Sequence, residues 1–89
     1  MIEGQVTICN KLGLHARAAA KFVATASEFE SELEIEKDGK RVNGKSIMGV
    51  MMLAASKGTD IKLLIEGTDA QLAMDKIKQL VLDRFGEEE

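Results

Sequence analysis

The chain has 89 residues, 45% of them hydrophobic and 30% charged, with a formal net charge of −3. That length allows one small domain over residues 1–89 that buries roughly 60% of its unfolded surface, and the composition is that of a folded globular protein, not a disordered tail. The negative balance argues against nucleic acid as a partner. The lone cysteine, Cys9, excludes an internal disulfide and a cysteine-histidine metal cluster, while signal-peptide layout and a membrane-spanning apolar run are both lacking. The expectation is a cytoplasmic protein with no cofactor, no metal and no membrane insertion.

The first predicted element is a strand in "MIEGQVTIC", where Ile2, Gly4, Val6 and Ile8 alternate with Glu3, Gln5 and Thr7. After the loop "NKLGL" the spacing predicts a helix from Ala16, with Ala19, Phe22, Val23 and Ala26 on one stripe. "SELEIEKDGKRVNG" predicts two strands joined at Asp38-Gly39, a dipeptide of tight hairpins, with glutamates 32, 34 and 36 on a solvated face. "KSIMGVMMLAASKG" predicts a helix capped by Ser46 and closed by Gly58, with Ile47, Val50, Met51 and Ala54 on one side. Ile47, Met48, Met51 and Met52 cannot all face one core from so short a helix, so some are exposed. Either two or three of them belong to the core, or adaptable methionines form a docking surface. "TDIKLLIEG" predicts the last strand, Ile61, Leu63 and Ile65 facing inward and Leu64 outward. "TDAQLAMDKIKQLVLDRF" predicts a helix capped at Thr68-Asp69, with Ala73, Ile77, Leu80, Val81 and Arg84 on one side, followed by a frayed "GEEE". The order βαββαβα implies an α+β open-faced β-sandwich, a four-stranded antiparallel sheet with its helices packed on one face.

Residues 39–46, "GKRVNGKS", match the phosphate-loop pattern of nucleotide hydrolases letter for letter. That loop works only when both glycines lie between a buried parallel strand and a helix, where backbone N–H groups wrap the phosphates. Here Gly39 belongs to a hairpin turn and Lys40 to Asn43 continue a strand, so the match is refused.

His15 is the only imidazole and falls at the start of the first helix. The unpaired N–H groups of that first turn, those of Ala16 and Arg17 among them, and the positive end of the helix dipole favour an anion. The Arg17 guanidinium suits phosphate oxygens, and imidazole is a nucleophile near neutral pH because much of it is uncharged there. Small residues at Ala16, Ala18, Ala19 and Ala20 keep bulk away from an approaching partner. Spacing alone leaves a second reading open, a polar helix start with a surface arginine nearby. Cys9, near the site, reads as a small buried residue.

"GLHARAAAKF" around His15 and "GKSIMGVMMLAASKG" around Ser46, with an element order that agrees from end to end, resemble the HPr family. These are the histidine-containing phosphocarriers of the bacterial phosphoenolpyruvate-dependent phosphotransferase system, which serves sugar transport, and their nitrogen-related NPr-type relatives. The resemblance implies that His15 accepts a phosphoryl group on Nδ1 from enzyme I and passes it to an enzyme IIA domain, with Arg17 steadying the phosphate. It implies a monomeric carrier that is not a stand-alone enzyme. Ser46 corresponds to a serine phosphorylated by an HPr kinase/phosphorylase, although capping alone also accounts for a serine there. Ile47, Met48 and Met51 are the candidate partner-binding patch. Ala18 departs from the pattern, since most members carry proline there. The alternatives are a regulatory module that docks through the Ile47/Met48/Met51 helix, and an RNA-binding domain. The first is disfavoured by the presence of His15, the second by the lack of Trp and Tyr on the open sheet face.

Overall fold

The computed structural model describes residues 1–89. Its elements are β1 (Ile2–Thr7), α1 (Ala16–Ala26), β2 (Glu32–Lys37), β3 (Lys40–Asn43), α2 (Ile47–Met52), β4 (Asp60–Glu66), α3 (Ala70–Leu82) and a terminal 3-10 turn (Arg84–Gly86). The strands form one antiparallel sheet in the order β1-β4-β2-β3. Register sets Ile2 opposite Ile65, Val6 opposite Ile61, Leu33 opposite Ile65 and Ile35 opposite Leu63. Because side chains alternate along a strand, this register gathers every such residue onto one face. That face joins Phe22, Ala26, Ala73, Ile77 and Val81 from α1 and α3 in a single core. The expected open-faced sandwich is the observed one.

The opposite face carries charge. Arg41 donates from Nε to Glu36 Oε1 at 2.9 Å and lies 3.8 Å from Glu34, while Lys62 bridges Glu3 and Glu36 at 3.9 Å each. Leu64 sits on this face as expected, yet it is buried, flanked in register by Glu3 and Glu34. The hairpin turns through Asp38 (φ 51°) and Gly39 (φ 81°), both in the left-handed region that two-residue turns require. Gly39 and Gly44 stand on either side of β3, so they form no common phosphate loop.

Three expectations are corrected here. The helix after Ser46 ends at Met52, well before Gly58, because Ala54 adopts φ 52° and turns Leu53 and Ala55 into the core. Gly58 instead donates its N–H to Ile8 O at 2.7 Å. Ala18 and Ala19 are fully buried core residues, so only Ala16 and Ala20 are exposed. Arg84 lies outside the apolar stripe of α3, exposed in the terminal turn.

Asp69 occupies the N-cap position of α3, but its carboxylate makes no cap bond. It accepts from the backbone N–H groups of Glu30 at 2.9 Å and Ser31 at 3.0 Å, and from the Ser31 hydroxyl. Ser31 is buried, so without this acceptor its polar groups would be left unpaired. The Ser31 hydroxyl first, then the two backbone donors, hold the Asp69 carboxyl below its ordinary value of 3.8 despite partial desolvation. A carboxyl depressed on folding stabilises the protein above its unfolded value and loses that contribution as pH falls through the folded one. Asp69→Asn is therefore expected to melt below wild type at neutral pH, with the two melting temperatures converging below about pH 3.8. Thermal denaturation across that range checks it.

Candidate functional site

The loop before α1 is set by a short chain of hydrogen bonds. Gly13 donates its N–H to Asn10 O at 3.2 Å, and Asn10 Nδ2 donates back to Gly13 O at 2.8 Å. Leu14 is buried and donates its N–H to Ala55 O at 2.9 Å, which ties the loop to the segment after α2. Gly13 has φ 67°, and a Cβ there would collide with Ala55 O and lie 2.8 Å from Ser56 Cα, so only glycine fits this approach. His15 follows as the N-cap residue of α1, as expected, in extended backbone with its carbonyl accepting from Ala19 N–H at 2.8 Å.

The imidazole does not cap the helix, and no acidic residue lies in the first turn. The leading N–H groups, those of Ala16, Arg17 and Ala18, therefore lack a side-chain partner at the positive end of the dipole. The His15 ring makes its contact at the C-terminal tail instead. Its Nε2 lies 2.5 Å from Glu87 Oε2, and Glu87 Oε1 accepts from Asn10 Nδ2 at 3.0 Å.

This contact corrects the expectation of a frayed C-terminus. Arg84 (φ 55°), Phe85 (φ 55°) and Gly86 (φ 77°) are left-handed in succession and reverse the chain after α3. Phe85 enters the core, Lys21 Nζ donates to its carbonyl at 2.7 Å, and Glu89 O accepts the Lys11 N–H beside an ion pair from Lys11 Nζ at 3.4 Å. "GEEE" is thus laid along the loop before α1. Burial pushes the Glu87 carboxyl up, but hydrogen bonds from Asn10 and His15 and the positive charge of Arg17, joined by that of the ring when protonated, outweigh it, leaving the group below its ordinary value.

His15, Arg17, Lys11, Ala16 and Glu87 line an open cleft of about 620 Å³. Arg17 is exposed on the first turn, two residues on from His15. Asn10 and Glu87 were not anticipated as site residues. Asn10 carried a faint signal, since asparagine three residues before a glycine favours a turn; Glu87, 72 residues from His15, carried none. Cys9 is corrected too: it is only partly buried, its thiol donating to Val81 O at 3.2 Å.

Ser46 is half-buried at the N-cap of α2, its Oγ accepting from Gly49 N–H at 3.1 Å. A serine cap of this kind is worth about 1 kcal/mol. Val50 is the one buried residue of α2. Ile47, Met48, Met51 and Met52 are 45%, 72%, 41% and 60% exposed, so none of the four belongs to the core as one reading allowed. They form an apolar ridge on a short helix packed against α1.

Fold and site together define an open-faced β-sandwich protein that presents a single histidine at an uncapped helix start. Residues 2–83 match the family model described as "PTS HPr component phosphorylation site". The chain belongs to the HPr family of bacterial phosphotransferase-system phosphocarriers. It is 54% identical over 89 residues to phosphocarrier protein HPr of Neisseria meningitidis, covering all of both chains. It is also 49% identical over 86 residues to phosphocarrier protein NPr of Shewanella violacea, covering 97% of this chain and 94% of that one. Among solved structures, HPr of Thermoanaerobacter tengcongensis superposes with a TM-score of 0.96 at 50% identity over all of both chains. A dimer of HPr from that organism superposes with a TM-score of 0.79 at 50% identity, covering 98% of this chain and all of that one. Dimers in the family run against the expected monomer, and that expectation is withdrawn. No helix is long and apolar enough to cross a membrane.

Proposed function

We propose that the chain is a phosphoryl carrier that accepts the group on His15 from phosphorylated enzyme I and passes it to an enzyme IIA domain. The observation that carries this reading is the partly exposed imidazole at a helix start whose leading N–H groups have no side-chain cap. A phosphoryl group on the ring would find those N–H groups and the Arg17 guanidinium beside it. Ala16 and Arg17 supply the first of the backbone donors. Ala18, buried with no proline ring, leaves the first turn an ordinary helical one built on a good helix former. The test is incubation with phosphoenolpyruvate and enzyme I. The expected product is an acid-labile, alkali-stable phosphate; an unmodified chain, where a known carrier is labelled alongside, overturns the reading.

Ser46 is the proposed regulatory site. A phosphate there would sit at the start of α2, beside the apolar ridge of Ile47, Met48 and Met51, and place negative charge on the surface that partners would meet. Incubation with an HPr kinase/phosphorylase and ATP is expected to add one phosphate, located at Ser46 by mass spectrometry. A chain left unmodified there removes this part of the proposal. The exposed ridge also supports a second reading, a regulatory module that docks through α2 without sugar transport. Partner capture that survives loss of His15 phosphorylation would favour it.

A further inference from the structure

Glu87 is placed too specifically for a terminal residue with no role. Three successive left-handed residues, the anchored ring of Phe85 and the Lys21 bond to the Phe85 carbonyl bring the tail back to the loop. The carboxylate is then held at both oxygens, by His15 Nε2 at 2.5 Å and by Asn10 Nδ2 at 3.0 Å. Asn10 is itself fully buried and fixed by the Gly13 carbonyl, so the acceptor cannot drift far. Only 14% of the Glu87 side chain is exposed, which strengthens a charge-assisted bond relative to one in open water.

We propose that Glu87 is a positioning residue for His15: by accepting the Nε2–H it fixes the ring and leaves the lone pair on Nδ1 as the nucleophile. The inference rests on the carrier reading above. In the forward step the Nδ1 lone pair forms a bond to phosphorus. The bond from phosphorus to the donor breaks, and its electron pair leaves with the donor. No proton has to depart from Nδ1, since the ring proton is already on Nε2. The phosphorylated ring gains positive charge, which the Glu87 carboxylate faces directly at Nε2. In the onward step a lone pair of the acceptor forms the new bond to phosphorus, the Nδ1–P bond breaks and its electron pair returns to Nδ1, while the same carboxylate keeps Nε2 protonated. Glu87 touches neither phosphate nor donor; it acts through the orientation and charge of the ring.

The test compares wild type with Glu87→Ala and Glu87→Gln, using phosphoramidate as a small donor alongside enzyme I. Glu87 is not part of the hydrophobic core, so both variants should leave the melt largely unchanged, which circular dichroism verifies. In the unphosphorylated wild type, nitrogen-15 spectra should show a slowly exchanging Nε2–H and an unprotonated Nδ1. Glu87→Ala should lose the slow exchange and show a mixed ring. The rate of labelling at saturating phosphoramidate should fall about tenfold in Glu87→Ala with little change in half-saturation, and Glu87→Gln, which keeps an acceptor but no charge, should fall between. Wild-type rates in Glu87→Ala, an unaltered Nε2–H signal, or a wild type that takes nothing from phosphoramidate each overturn the proposal. Labelling of wild type by phosphoramidate but not by enzyme I defeats the carrier reading and leaves the comparison of Glu87 variants standing.

Discussion

His15→Ala is expected to abolish phosphate transfer to the chain, with labelling by enzyme I falling at least ~10³-fold, to the level of a blank. His15 is the only histidine, so no second imidazole can substitute. Lys11, Leu12, Ala16 and Arg17, which share the cleft, offer no hydroxyl or imidazole in its place. The loss would be chemical and not structural. The imidazole makes no cap bond to α1, so its removal takes away only the part-buried contact to Glu87, outside the hydrophobic core. Melting temperature and labelling measured on the same preparation separate the two effects. An acid-labile phosphate on a folded His15→Ala chain would place the acceptor elsewhere and end the carrier proposal.

Phe85→Ala should have the largest effect on stability. The ring is fully buried among the core residues although it stands beyond the end of α3. Removing a buried phenyl group costs about 3–5 kcal/mol, because the cavity left behind collapses only in part. A domain of this size has a total stability of about 5–15 kcal/mol, and each kcal/mol shifts its midpoint by roughly 4–8 °C. The variant is expected to melt on the order of 15 °C or more below wild type. Only the hydrogen bonds of the tail, that from Lys21 Nζ to the residue-85 carbonyl among them, would then oppose the release of Arg84 to Gly86 from their left-handed course, whose conformations are themselves unfavourable for non-glycine residues. The Glu87 contact to His15 should be lost with it, visible in the ring nitrogen signals. A drop of only a few degrees would show that the tail is held by its hydrogen bonds alone. Glu87→Ala, by contrast, should release the histidine while leaving the melt nearly intact, so the pair separates anchoring of the tail from its action on the ring.

Much of the fold was legible because its cues are local. Alternation marked β1, β2 and β4, since a half-buried strand must repeat every second residue. Asp38-Gly39 marked the hairpin through the left-handed turn it permits, and Ser46 marked a helix start through the Oγ bond that Gly49 N–H now makes. His15 was placed correctly at the start of α1 for the same reason. What failed were local readings overridden by a distant neighbour. Ala54 ends α2 in a conformation alanine seldom adopts, held there because Leu53 and Ala55 are pulled inward. Asp69 looked like a cap but is taken by Ser31, 38 residues away in sequence and brought beside it by the pairing of β2 with β4.

The sequence by itself determined the element order, the one-sided sheet, and the imidazole at a helix N-terminus with Arg17 beside it. Periodicity and backbone capping act over a few residues and leave their mark in residue type. Only the tertiary structure decided what that imidazole faces. Glu87 reaches His15, and Asn10 reaches Glu87, through the burial of Phe85, the reversal at Arg84–Gly86 and the pinned loop at Gly13. Three glutamates at a chain end look the same whether they are solvated or docked. Their position is set by a core that forms only when α3 and α1 have packed together.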